Sequence, residues 1–152
     1  MPLNGVTIVF NNDGGTTATN SKGFYSHEIM SKWSGIATPK LQGYKFTPLN
    51  IAFTDVQENH SDQHFIAQRY TISGFIYDDE GNPMENVHLI FSNNGGEIQT
   101  NAQGFFTHDI DYQWSGTLTP QKSGYDFTPQ YLTYSNIVGN HLDQNIAANE
   151  RT

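Results

Sequence analysis

The chain has 152 residues, 36% hydrophobic and 13% aromatic, which is enough apolar material for compact cores and excludes a disordered polymer. Its formal charge of −8 comes from 7 basic and 15 acidic residues with no Lys/Arg cluster, which excludes a nucleic-acid interface and an anionic-membrane surface. Cysteine is absent, excluding disulfides, thiolate metal sites and thiol catalysis, and no run approaches the ~18 apolar residues of a membrane span.

In chain order, Met1-Pro2-Leu3-Asn4-Gly5 lacks the basic and apolar regions of a signal peptide and reads as an added start or an internal fragment. From there the chain repeats itself. A shift of 81 residues superposes the two halves without a gap, and about two positions in five are identical. Asn12-Asp13-Gly14-Gly15 meets Asn93-Asn94-Gly95-Gly96. Gly23-Phe24-Tyr25-Ser26-His27-Glu28-Ile29 meets Gly104-Phe105-Phe106-Thr107-His108-Asp109-Ile110. Trp33-Ser34-Gly35 meets Trp114-Ser115-Gly116, and Gly43-Tyr44-Lys45-Phe46-Thr47-Pro48 meets Gly124-Tyr125-Asp126-Phe127-Thr128-Pro129. Asn59-His60 and Asp62-Gln63 meet Asn140-His141 and Asp143-Gln144.

The second copy reads as seven short strands joined by turns. The first covers 70–77 and ends in the Asp78-to-Pro83 turn. Others fall at 87–92, near 97–100, at 105–110, near 114–121, near 130–135 and near 143–148. Asn93 to Gly96 and Asn101 to Gly104 supply turn residues, and 124–129 reads as a loop carrying two aromatics. No dozen-residue window keeps a helical apolar stripe free of Gly, Pro or Asn clusters. In the first copy, Met1-Pro2-Leu3 aligns with Asn82-Pro83-Met84, so the counterpart of strand 70–77 is missing. The expectation is an all-β chain of two tandem sandwiches, at 1–69 and 70–152, the first without its initial strand. A slot beside Val6 to Phe10 is then open to a preceding module or to a strand exchanged with a second copy. Charge is uneven too: residues 1–69 balance to zero, so the second copy holds the whole −8.

Thr71-Ile72-Ser73-Gly74-Phe75-Ile76, followed by Asp79-Glu80-Gly81-Asn82-Pro83-Met84-Glu85-Asn86-Val87 and later Thr100-Asn101-Ala102-Gln103-Gly104-Phe105-Phe106, resembles carboxypeptidase-regulatory-like domains. The resemblance covers nearly all of the second copy and all but the first strand of the first. It implies a transthyretin-like, immunoglobulin-like β-sandwich placed outside a bacterial cell or on its surface. It implies an accessory module with no catalytic residues to carry over.

Several residues remain candidates for chemistry. His27 and His108 sit mid-strand on the inward face, where they either pack at the core edge or contact a ligand or sense pH. His60, Asp62 and His64 share one face of an extended segment, but the second copy replaces His64 with Asn145. Asp78, Asp79, Glu80 and Asn82 crowd oxygens into one turn, a weak calcium candidate without the spacing of a calcium loop. Trp33, Tyr44, Trp114 and Tyr125 either stack on sugar rings or close the ends of the sandwiches. Lys40 is the core-adjacent lysine that an isopeptide bond would need, and Gln121 replaces it in the second copy. No nucleophile elbow, zinc-protease motif or phosphate loop occurs. The reading is therefore a non-catalytic tandem module, a spacer or interaction segment of a bacterial extracellular protein that adjoins other domains. The alternatives are a polysaccharide-binding module and a calcium-binding adhesion repeat. No cofactor beyond possible calcium and no membrane insertion is expected.

Overall fold

The computed structural model describes residues 2–151. These form strands and turns with no helix, and the chain divides between Gln68 and Arg69 into two compact units. The first unit holds β1 (Thr7–Phe10), β2 (Gly15–Ala18), β3 (Trp33–Lys40), β4 (Lys45–Thr47), β5 (Ile51–Val56) and β6 (Ile66–Gln68). The second holds β7 (Tyr70–Asp78), β8 (His88–Phe91), β9 (Gly96–Gln99), β10 (Phe105–Ile110), β11 (Gly116–Gln121), β12 (Tyr125–Thr128), β13 (Leu132–Tyr134) and β14 (Ile146–Glu150).

The second unit is a complete sandwich. One sheet runs β10-β7-β14-β12 and the other β13-β11-β8-β9. Neighbours are antiparallel except β14 and β7, which run parallel with Ile146 opposite Ile76. Side chains alternate along each strand, so one face of each sheet turns inward. Ile72, Ile76, Phe106, Ile110, Ile146 and Ala148 come from the first sheet; Leu89, Phe91, Leu118 and Tyr134 meet them from the second. Each large side chain so buried is worth about 1.5–3 kcal/mol. Turns are set by residues that tolerate positive φ: Asn93 and Asn94, with φ of 52° and 62°, reverse β8 into β9. Gly104 must be glycine twice over, since its φ is +73° and a Cβ there would lie 2.5 Å from the Ile76 carbonyl oxygen.

The first unit repeats one of these two sheets strand by strand. Its sheet β2-β1-β3-β5 matches β9-β8-β11-β13. Positive-φ residues recur at the 81-residue shift, as with Asp62 and Asp143, even where the side chain differs, as with Lys32 and Gln113 or Asp55 and Asn136. A threonine clip recurs as well. The Thr100 hydroxyl donates to the Met84 carbonyl (2.6 Å) and accepts from the Val87 N–H (3.0 Å). Thr19 does the same with Leu3 (2.6 Å) and Val6 (2.9 Å).

Two expectations are corrected. The second unit has eight strands, because 124–129 is no loop: β12 pairs with β14, with Phe127 opposite Ala148. Tyr125 and Phe127 alternate with polar residues, enough to make a half-buried edge strand between Gly124 and Pro129. The first unit lacks more than its initial strand. Residues 24–29, the counterpart of β10, form no strand there although their sequence alternates as β10 does. In the second unit β10 is an edge strand bonded only to β7. With no β7 counterpart among the described residues of the first unit, that ladder has nothing to form against. What remains of this sheet is the short pair β4-β6.

Candidate functional site

The two tryptophans pack inward. Trp33 and Trp114 are only 9% and 8% exposed, and each indole N–H donates to two main-chain carbonyls of the Asn-Gly turn. Their edges meet Phe10 and Phe91, and Phe53 and Tyr134 cover them from another side. A sugar ring needs an open aromatic face, so neither tryptophan is a stacking platform; the turn required a buried donor and indole supplied it. Tyr44 and Tyr125 are half-buried at the other end of their units. Tyr125 borders a shallow hollow of about 540 Å³ with Lys122, Asp126 and Arg151. Arg151 pairs with Asp126 there at 2.8 Å. The first unit has Leu41 and Lys45 in place of Lys122 and Asp126, so this chemistry is not part of the repeat.

His27 and His108 take equivalent positions. Each Nε2 lies 2.6 Å from a carbonyl oxygen, of Gly14 and Gly95 respectively, and each ring stacks on a phenylalanine: Phe10 at 4.6 Å, Phe91 at 4.5 Å. A carbonyl only accepts, so Nε2 carries a proton and is closed to a metal. Geometrically each histidine pins a hairpin turn to the sandwich edge. His60 packs edge-on against Phe53, and the exposed His64 lies 3.8 Å from Asp62, so the three do not converge.

The carboxylate oxygens of Asp78 are spent on the 78–82 turn. Asp78 Oδ1 accepts from the N–H groups of Glu80 (2.9 Å) and Asn82 (2.8 Å), and Oδ2 accepts from the Asn82 amide (3.2 Å). Asp79, Glu80 and Asn82 are exposed, and the described residues contain no group of three His, Asp or Glu placed to hold a metal. The turn expected at 78–83 is present, and Asp78 caps it. Donation from the Asn82 N–H, above all, holds the Asp78 carboxyl below its ordinary value of 3.8. A depressed carboxyl stabilises the fold above its unfolded value and loses that contribution as pH falls through the folded one. The acid-induced weakening of the second unit should therefore continue below pH 3.8. Comparing Asp78→Ala with the parent by thermal melting checks it: the variant should be less stable at neutral pH and lose that difference in acid.

The described residues bury no charged side chain, Lys40 included; the buried polar ones are Ser73 and Thr100. The acid-assisted lysine chemistry of an isopeptide bond has no setting there. Tyr134 is pushed up to about 12 by burial, and its hydroxyl donates to Gln144 Oε1 at 2.8 Å.

One feature escaped the sequence reading and another was misplaced by it. On the outer face of β7 and β10, Phe75 stacks on Tyr77 (5.8 Å) and meets Phe105 (5.0 Å), making a row of three aromatics. The alternation of 70–77 was the available signal, since it sets 75 and 77 on the face opposite Ile72 and Ile76. The sequence placed the open strand position of the first unit beside Val6 to Phe10, and this is corrected: β1 is paired on both sides, by β2 and β3, and the open position lies in the other sheet, between residues 24–29 and β6. Around it Tyr25, Ile29, Phe65 and Ala67 are only half-buried, whereas Phe106, Ile110, Ile146 and Ala148 in the second unit are fully buried.

This geometry defines a tandem all-β sandwich protein. No family model matches the chain, and no curated protein is similar to it. Among solved structures it is similar to the shaft pilin SpaA of Lactobacillus rhamnosus GG, at 12% identity over 99% of this chain and 89% of that one, with a TM-score of 0.53. It is also similar to GBS52, the minor pilin of Streptococcus agalactiae, at 10% identity over 100% of this chain and 85% of that one, with a TM-score of 0.47. At these identities the likeness establishes the β-sandwich fold alone, and it rests on the shaft pilin.

Proposed function

We propose that the chain is a non-catalytic tandem module of a bacterial surface protein, a tension-bearing spacer built from carboxypeptidase-regulatory-like repeats. The observation that carries this is the pairing of β7 with β14. They are the first and last strands of the second unit, and they run parallel. A pull on the two ends of that unit loads their hydrogen bonds side by side in shear, so they must fail together. An antiparallel pair pulled from one end opens one bond at a time. The shaft pilin that shares this fold is, by its name, a structural subunit of a surface fibre, which supports the same reading.

Single-molecule pulling of the full chain through its termini tests it. The expected trace has two events: an early one for the first unit, whose β6 pairs only antiparallel with β4, and a late one for the second. If the second unit opens at the same low force as the first, the tensile role is wrong.

A second reading, polysaccharide binding, is favoured by the Phe75–Tyr77–Phe105 row. It predicts binding in a polysaccharide pull-down that Tyr77→Ala abolishes without lowering stability. Absence of binding removes it.

A further inference from the structure

The second unit is a template for what the first unit accepts. There β7 is seated between β10 and β14. Its Ile76 N–H donates to the Gly104 carbonyl (2.8 Å) and its Ile76 carbonyl accepts from Met84 (2.9 Å). Its Ser73 N–H donates to His141 (2.9 Å), while the N–H groups of His141 and Gln144 donate back to Thr71 (2.8 Å) and Ser73 (2.9 Å). Three of these partners recur unchanged in the first unit as Gly23, His60 and Gln63, and Leu3 replaces Met84. Among the described residues no hydrogen bond engages the N–H groups of Leu3, His60 or Gln63.

The apolar surroundings match as well. In register, Phe24 would stand beside the residue equivalent to Phe75, and Ile66 beside the one equivalent to Tyr77. Both are bare in the first unit, at 63% and 67% exposed, whereas Phe105 packs on Phe75. On the inner face, Ile29 and Phe65 stand beside the positions that Tyr70 and Ile76 fill in the second unit, and both are left half-buried. One further detail fixes the sequence of the occupant. A Cβ on Gly74 would land on the Gln144 carbonyl, its carbon 2.6 Å away. In the first unit the same spot holds the Gln63 carbonyl, and the Tyr25 hydroxyl donates to it at 2.5 Å. The strand that passes over it must carry glycine there.

We propose that the first unit is completed by β-strand addition: the position between residues 24–29 and β6 takes in an extended strand with the pattern of Tyr70–Asp78. That pattern puts Tyr70, Ile72 and Ile76 inward, Phe75 and Tyr77 outward and a glycine opposite Tyr25. The donor is a strand of this repeat type other than β7 itself. Lending β7 to a second copy would open an equal position in the lender, so nothing is gained. This completion is independent of the tensile role, and it adds to the first unit the parallel clamp that the second already has.

The test adds a synthetic peptide of sequence Tyr70–Asp78 to the full chain and follows hydrogen exchange, stoichiometry and melting. The expected result is one peptide per chain, new protection at amides within 24–29 and 60–68, and a higher melting temperature for the first unit alone. A peptide with valine in place of Gly74 should bind weaker by at least about tenfold. No new protection, or equal binding by the valine peptide, overturns the proposal. A dimer already protected at 24–29 without peptide overturns it too, because a second copy then fills the position.

Discussion

Replacing Gly74 with valine sharply destabilises the second unit. Gly74 is buried at the centre of β7 and faces the core between Ile72 and Ile76, two residues with no exposed surface. The space a side chain would need is taken by the Gln144 main chain, whose carbonyl carbon and nitrogen lie 2.6 and 2.9 Å from the ideal Cβ. A flexible side chain could give way; a main-chain segment hydrogen-bonded to Ser73 cannot without breaking the ladder. Overpacking of this kind reaches the large end of single-substitution effects, about 4 kcal/mol. Domains of ordinary stability hold only about 5–15 kcal/mol in total. Denaturant unfolding should show the second unit's transition lost or moved sharply down and the first unit's unchanged. A variant that melts like the parent would mean that β7 does not run against Gln144.

The paired truncations Phe106→Ala and Tyr25→Ala should differ severalfold in cost. The two residues are equivalent in the repeat. Phe106 is 1% exposed, in a core closed by β7, and its loss should cost about 3–5 kcal/mol. Tyr25 is half-buried beside an open strand position, with one hydrogen bond to Gln63. Burial raises its hydroxyl above the ordinary value of 10.0, so that bond keeps its donor throughout the neutral range. Removing ring and bond there should cost about 1–2 kcal/mol. Chemical denaturation of each variant, read on its own unit, makes the comparison. Equal costs would mean that the first unit is as closed as the second.

Much of this architecture was legible in the sequence because the turns carry it. Asn-Asn-Gly-Gly and Asn-Ala-Gln-Gly specify positive φ locally, so the strands between them could be bounded within a residue or two. The 81-residue shift then transferred each assignment to the other copy. What was not legible depends on partners. Residues 24–29 alternate as faithfully as 105–110, yet alternation is a property of one segment and a ladder needs two. Tyr125 to Thr128 looked like a loop because two turn formers bracket four residues, and only β14 makes those four a strand. The tryptophans left two readings open for a related reason. Composition shows a large aromatic with a polar edge, not whether a carbonyl waits for that edge inside. Asp78 to Asn82 reads as a turn with calcium as the alternative, and the sequence does not show that the Asp78 oxygens bond N–H groups of that turn.

Native-state hydrogen exchange on the unmodified chain tests the central claim most directly, namely two copies of one sandwich of which the second is complete and the first has an open strand position. Alternate amides of Phe105–Ile110, bonded to β7, should exchange at rates near those of global unfolding of their unit. Their counterparts at 24–29 should exchange fast, while β1 and β3 of the same unit stay protected. Equal protection at 24–29 and 105–110 in the monomer would contradict the account.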